Sequence, residues 1–290
     1  MCSETTGRRP ALVTPPGACD CHIHVFGPRD RFSLAADLAY TPAETPVEEY
    51  LAIRRRLGVE RTVVIQPSAY GSDNSCTLEA ITRLQPNARG IAVIDPAVSD
   101  VELERLHEAG IRGLRFSSVT KNALRPDLLE TMARRIRPFG WHIQFRSTHL
   151  DLPDLESRLR RLPVDVCLDH LGNIPPEEPI THPAWQAMFR LLDKGHCWVK
   201  LSAPYQLSRM PGPGYTDFAS QISILVKTAP HRLVWGTNWP HPLVATKPDE
   251  MDLLDSLGEW IPEESVRRAV LVENPAALYG FPPVTGEVAH

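Results

Sequence analysis

His22-Ile23-His24 is the first place in this sequence where side chains are spaced for chemistry. Two imidazoles two positions apart in an extended segment point the same way, so together they grip one metal ion or hydrogen-bond one substrate oxygen. The same alternation puts Asp20 beside them and leaves Cys19, Cys21 and Ile23 on the opposite side, where the cysteines are expected to pack against helices. Further along, Arg115, Arg146, the pair Asp169-His170, and Asn238 in Asn238-Trp239-Pro240-His241-Pro242 each close a β-rich run. Burying such groups singly is costly, so several of them at the ends of different strands point to one shared mouth. Cys19-Asp20-Cys21 looks like half of a thiolate metal site, but no second pair exists, and the cysteines read as buried thiols.

The elements that must carry these residues are eight short runs: Ala18–His24, Arg61–Gln66, Arg89–Asp95, Ile111–Phe116, Trp141–Arg146, Val164–His170, Cys197–Ser202 and Arg232–Asn238. Most are separated by helical periodicity, as in Val47–Leu57, Val101–Ala109, Pro126–Phe139, Asp154–Leu162, Pro183–Lys194 and Thr216–Ala229. Apolar runs alternating with amphipathic helices imply parallel strands covered by helices, and eight units predict a single closed (β/α)8 barrel over residues 17–281. Catalytic groups then gather at the carboxyl ends of the strands. An open doubly wound sheet is the competitor, but no G-x-G-x-x-G turn or P-loop follows any strand.

A long loop from Phe26 to Pro46 follows the first run and is expected over the mouth. Residues 1–16 read as a flexible leader and 282–290 as a flexible tail, with Glu263–Tyr279 a helical segment on the barrel exterior. His107, His142, His149, His182, His196, His231 and His290 read as surface, capping or packing residues, and Trp141, Trp198 and Trp235 as core.

With 31 Lys+Arg against 35 Asp+Glu and a formal net charge of −4, the chain shows no nucleic-acid footprint. No stretch approaches the ~20 apolar residues of a membrane span, and the polar, proline-broken start is unlike a secretory leader, so a cytoplasmic protein with a small-molecule partner is expected. Its 42% hydrophobic content suffices for a full core, and 28 prolines suit long, rigid-turned loops.

Taken in order, CDCHIHVFGP, QPSAYGSDN, RGIAVIDP, GIRGLRF, LDHLG, GTNWPHP and VENPAALYGF resemble the amidohydrolase superfamily, and within it the lactonase group that acts on 2-pyrone-4,6-dicarboxylate. The resemblance implies the metal-dependent hydrolase fold and a lactonase that opens a small carboxylated lactone without a redox cofactor. It also implies His22, His24 and His170 as active-site histidines that polarise the ring carbonyl, with Tyr40, Ser68 and Arg115 touching substrate. Two-metal members carry a lysine on the fourth strand and a histidine on the fifth, where this chain has Arg115 and Arg146, so no metal is expected. If one is held, it is a single Zn²⁺ on His22, His24 and His170.

Two departures from the group bear on the reaction. The lactonases carry an aspartate as general base where this chain has Asn238, and an amide cannot take the proton. Related lactone isomerases resemble the chain in having asparagine there, although they can lack the first histidine of the pair. At the anchoring positions the chain has Lys121, Arg146 and Gln206 in place of further arginines and a tyrosine, which implies a different small anionic lactone or sugar acid. Three readings follow. The first is a lactone hydrolase whose base is a residue such as His241, and the second a lactone isomerase without an enzymatic base. The third is an inactive acid-binding barrel.

Overall fold

The computed structural model describes residues 7–36, 38 and 40–284. Eight parallel strands lie in sequence order in one sheet: β1 (Cys19–Ile23), β2 (Arg61–Ile65), β3 (Ala88–Ala92), β4 (Ile111–Ser117), β5 (His142–Arg146), β6 (Val166–Leu168), β7 (Cys197–Ser202) and β8 (Leu233–Gly236). The sheet closes where Ile23 bridges Trp239 in parallel, with Asn238 N donating to His22 O at 2.8 Å and His24 N donating to Trp239 O at 2.7 Å. This is the expected (β/α)8 barrel. Segments such as Arg-Thr-Val-Val-Ile in β2 are buried on both faces, between lumen and helices, and so read as continuous apolar runs.

The outer helices are α1 (Val47–Leu57), α2 (Ser75–Leu84), α3 (Asp100–Glu108), α4 (Leu129–Ile136), α5 (Leu152–Leu159), α6 (Pro183–Asp193), α7 (Ala219–Thr228) and α8 (Glu250–Trp260). Neither α2 nor α8 stands out in the sequence. The approach to α2 is a run of Gly, Ser, Asp and Asn that reads as loop, while α8 is started by Asp249, whose side chain accepts from Met251 N at 2.8 Å.

The tail does more than coat the exterior. A short α9 (Glu264–Arg268) runs through one π turn into α10 (Asn274–Tyr279), and Asn274 Nδ2 donates to Pro230 O and Leu233 O at the foot of β8. Leu278, Tyr279 and Phe281 thereby join Cys19, Cys21, Val63, Ile65, Ile91, Cys167, Trp198 and Val234 in one apolar cluster that fills the barrel floor. At the other terminus, Arg8 pairs with Asp252 and Asp255 of α8, and Leu12 N donates to Asp255 Oδ1. Residues 8–12 are thus tied to the barrel, as is Thr14, whose hydroxyl donates to Leu57 O and Gly58 O; residues 1–6 of the expected leader lie outside the described residues, as do 285–290 of the expected tail.

The alternation expected for β1 is broken. Between Asp20 and Ile23 the pairing with Thr62 and Val64 slips by one residue, a β-bulge that turns part of the strand over. Cys19 and Cys21 therefore sit in the lumen floor rather than against helices, and Asp20 points away from His22 toward the helical layer. There its carboxylate accepts from Tyr50 Oη (3.1 Å), Thr237 Oγ1 (2.6 Å), Thr237 N (2.9 Å) and His22 N (3.1 Å), which ties β1 to the end of β8. No helix among the described residues is long and apolar enough to cross a membrane.

Candidate active site

At the carboxyl ends of the strands lies a cavity of about 300 Å³. Arg115 and Arg146 from β4 and β5, His24, His170 and Asn238 form its polar base. Tyr40, Ser68, Lys121 and Gln206 add to the wall, with apolar cover from Leu38, Val119 and Leu243. Nine of the residues singled out from the sequence thus share one space. The other two, His22 and His241, stand behind the wall. No Asp or Glu lines the cavity among the described residues.

The backbone pays for this convergence with strain. His170, Ala203, Asn238 and His241 all take left-handed φ of 50–63°, which non-glycine residues hold only when surrounding structure enforces it. In β6 that turn is what brings both Asp169 and His170 inward, although they are sequence neighbours, and the His22 and His170 ring centroids lie 4.8 Å apart. Gly236 is required on the same seam, since a Cβ there would stand 2.7 Å from His22 N and 2.8 Å from His22 Cβ.

Hydrogen-bond partners fix the histidine tautomers. His24 Nδ1 is 2.8 Å from the Ile65 carbonyl, which only accepts, so Nδ1 carries the proton and Nε2 is bare. His22 Nε2, 3.3 Å away, donates to it, and His22 Nδ1 is left to face Lys200 Nζ at 3.3 Å. His170 Nδ1 meets Ser202 Oγ at 2.8 Å, which leaves Nε2 for the cavity. Burial, followed by the charge of Lys200 on His22 and of Arg115 on His24, holds both imidazoles well below the usual histidine range. Burial lowers His170 to about 3 against the opposing charge of Asp169, with Arg146, Lys200 and Arg115 adding to the fall. All three rings are neutral at pH 7.

Lys200 is the residue that sequence reasoning missed. Fully buried on β7, its ammonium donates to Gln144 Oε1 at 2.8 Å and lies 3.2 Å from Asp169 Oδ1, while Gln144 Nε2 donates to Asp169 Oδ2 at 3.0 Å. Burial alone would raise the Asp169 carboxyl; Lys200 first and His22 next hold it well below the usual carboxylate range. The signal was present in Trp198-Val199-Lys200-Leu201-Ser202, where strand alternation places Lys200 on the lumen side with Trp198 and Ser202.

The guanidinium groups face the cavity differently. Arg115 Nη1 donates to Gln66 O at 2.7 Å, but the buried Nε of Arg115 and of Arg146 have no partner among the described residues. Burial lowers both arginines without discharging groups of such high intrinsic pKa. Two cations in a wall that has no carboxylate form a receptor for an anion.

The donor atoms close enough to share a metal ion belong to His22, Asp169 and His170, within 4.8 Å of one another, and not to the trio His22, His24 and His170 expected from the sequence. Two of these three already face the Lys200 ammonium. Like unit charges 4 Å apart repel by about 4 kcal/mol at an effective dielectric of ~20, and a divalent ion doubles that, so these residues fit a metal poorly.

Residues 19–281 match the amidohydrolase family. The chain belongs to that family. It is 34% identical over 283 residues to a 2-pyrone-4,6-dicarboxylate hydrolase of Comamonas testosteroni, covering 93% of this chain and 92% of the relative. It is 30% identical to a D-galactarolactone isomerase of Agrobacterium fabrum, covering 97% of each. Among solved structures, an apo protein from Agrobacterium tumefaciens superposes with a TM-score of 0.89 at 30% identity, over 96% of this amidohydrolase and 99% of that chain.

Proposed function

We propose that this amidohydrolase is a lactonase that opens the ester bond of a small lactone carrying at least one carboxylate. The observation that carries the reading is the pair of guanidinium residues, Arg115 buried and Arg146 half-buried, lining a cavity without a carboxylate. Relatives that act on small lactones, by hydrolysis and by isomerisation, support it. The arginines anchor the substrate carboxylate, and Tyr40, Ser68, Lys121 and Gln206 meet its other polar edges. That places the ring carbonyl toward His170, whose Nε2–H donates to the oxygen as negative charge develops in the tetrahedral transition state. His24 stands beside it in a tautomer that His22 and Ile65 O impose. Lys200 supplies the internal positive charge, so the reaction runs without a metal.

Asn238 favours a second reading. Its amide accepts a hydrogen bond from a nucleophile but cannot remove the proton, and the wall offers no carboxylate to do so. An internal hydroxyl of the substrate suits such a site, because the proton it loses is returned to the departing ring oxygen and one lactone becomes another.

Product analysis by NMR decides between them, with 2-pyrone-4,6-dicarboxylate and D-galactarolactone as probes. For a hydrolase the wild type yields ring-opened acid, and Asn238→Asp raises that rate by ~10²–10⁴-fold, the usual contribution of a positioned base. For an isomerase the wild type yields a shifted ring, and the same change diverts product to the acid. Conversion of neither probe by either protein would count against lactone chemistry and for an acid-binding barrel.

A further inference from the structure

Behind Asn238 the structure holds a chain of polar groups that the reaction as described does not use. Asn238 Nδ2 lies 2.8 Å from Tyr205 Oη, Tyr205 Oη lies 2.8 Å from His241 Nδ1, and His241 Nε2 lies 3.2 Å from Glu250 Oε1. The groups come from three places: the turn after β7, the loop after β8 and the first residue of α8. Left-handed residues at Ala203, Asn238 and His241 bring them into line. His241 is 1% exposed, and its ring packs edge-on against that of Tyr205 with centroids 5.2 Å apart.

Each link constrains the next. A carboxylate only accepts, so His241 Nε2 carries the proton and, in the neutral ring, Nδ1 is bare. A bare Nδ1 takes the Tyr205 hydroxyl proton. The Tyr205 oxygen, its proton committed, then accepts from the Asn238 amide nitrogen, and this fixes which end of the amide remains. Reversing the chain needs a proton on His241 Nδ1; Tyr205 would then donate to Asn238, and the amide nitrogen would be turned outward.

We propose that Glu250, His241 and Tyr205 form a one-way hydrogen-bond relay that holds the Asn238 amide with Oδ1 toward the cavity, ready to accept from the reacting hydroxyl. Tyr205, His241 and Glu250 are positioning residues in this scheme, since each acts through Asn238. The relay takes from the lactone reading only the identity of that hydroxyl; its own test needs no substrate, so the two fail separately. It also states what the asparagine contributes: an acceptor with a fixed direction that leaves the proton on the nucleophile.

The test is the protonation pattern of His241 in the full-length protein, read by long-range ¹H–¹⁵N correlation on a histidine-labelled sample at neutral pH and assigned with His241→Gln. The relay requires the neutral ring with its proton on Nε2 and a hydrogen-bonded Nδ1. In Tyr205→Phe the Nδ1 resonance moves to the position of an unbonded ring nitrogen while Nε2 keeps its proton. In Asn238→Asp the new carboxylate claims the Tyr205 proton, so His241 gains a second proton on Nδ1; adding Glu250→Gln to that variant returns the ring to a single proton. A native His241 protonated on Nδ1, alone or together with Nε2, overturns the proposal, as does an Nδ1 resonance that Tyr205→Phe leaves unmoved. The native spectrum alone decides the polarity even if a variant fails to fold.

Discussion

The floor and the mouth of this barrel are built by the same strands only a few residues apart, yet they obey opposite rules. At the floor, Val63, Ile65, Ile91, Cys167 and Val234 pack against the tail residues Leu278, Tyr279 and Phe281 in an apolar cluster, and Arg61 and Arg89 lie over the Phe281 ring. One strand position higher, Cys167 gives way to Asp169 and Trp198 to Lys200; the bulge in β1 sets His22 immediately after Cys21. The floor gains stability from apolar burial, whereas the mouth holds desolvated ions, of which Lys200 and Asp169 offset one another while Arg115 and Arg146 have no carboxylate beside them in the wall. A single alternation of lumen positions thus divides the molecule into a part that holds it together and a part that spends stability on binding.

The largest effect expected from breaking that division is at Lys200. Lys200→Met leaves Asp169 buried without its cation and Gln144 without its donor, and should cost about 3–5 kcal/mol in urea unfolding, the scale for removing one partner of a buried pair. Asp169→Asn in the same chain should recover part of that loss, by the coupling of contacting residues. A loss below ~1 kcal/mol for Lys200→Met, as for an exposed pair, would show that the mouth does not depend on this ammonium.

Acid tests the mouth together with one histidine at the floor, His142, whose ring packs edge-on against Tyr279. His22 and His24 are held well below their usual range, and His142 and His170 at about 3, while the unfolded chain takes up these protons near 6.5. The unfolded state therefore binds more protons between these values, so stability is full above pH 6.5 and falls as pH is lowered toward 3. Asp169, depressed, adds to the fall. Asp20 opposes it: burial raises its carboxyl from 3.8 to about 6, a contribution that favours the lower pH. Four histidines outweigh one aspartate, so urea midpoints should drop steadily from pH 7 to pH 4; a flat profile would mean that the imidazoles are not buried neutral.

Smaller effects separate the two regions. Arg115→Met should weaken binding of an anionic lactone by about 1.5–3 kcal/mol, the scale for hydrogen bonds to charged groups, and unchanged affinity would remove Arg115 from the anion receptor. Ile91→Val in the floor should cost ~0.5–1.5 kcal/mol of stability and leave binding as it was. A matching loss of affinity there would deny that floor and mouth are energetically distinct.

What the sequence reveals follows the same division. Apolar runs and helical periodicity expose the barrel, because burial on both faces leaves a mark that needs no partner to be read. His24, Arg115, Arg146, His170 and Asn238 were legible as polar groups at strand ends, whereas Tyr40, Ser68, Lys121 and Gln206 stand on the connections beyond the strands and entered only through the family resemblance. Asp20 was misplaced because a bulge is a one-residue event in the pairing of two strands and leaves no mark in either strand's composition. Lys200 sat unnoticed in mid-strand because alternation gives its lumen side but not its purpose, which shows only when Asp169, Gln144 and His22 are seen to meet it. Tyr205 and Glu250 were hidden for a related reason: their significance lies in a chain of contacts linking the turn after β7, the loop after β8 and the start of α8.

The seam between Ile23 and Trp239 has a consequence for timing during synthesis. The backbones of His22 and Asn238 meet only across that seam, so β1 leaves the ribosome long before the strand end that closes on it. Contacts this distant in sequence form late, after loop-closure entropy has been overcome. A nascent chain that has released seven strands owns both arginines and His22 with its partners His24, Asp169 and Lys200, yet lacks β8, Asn238 and the floor residues Val234, Leu278, Tyr279 and Phe281. Ligand-induced stabilisation of the growing polypeptide should therefore be absent until the eighth strand has emerged, and then arrive all at once.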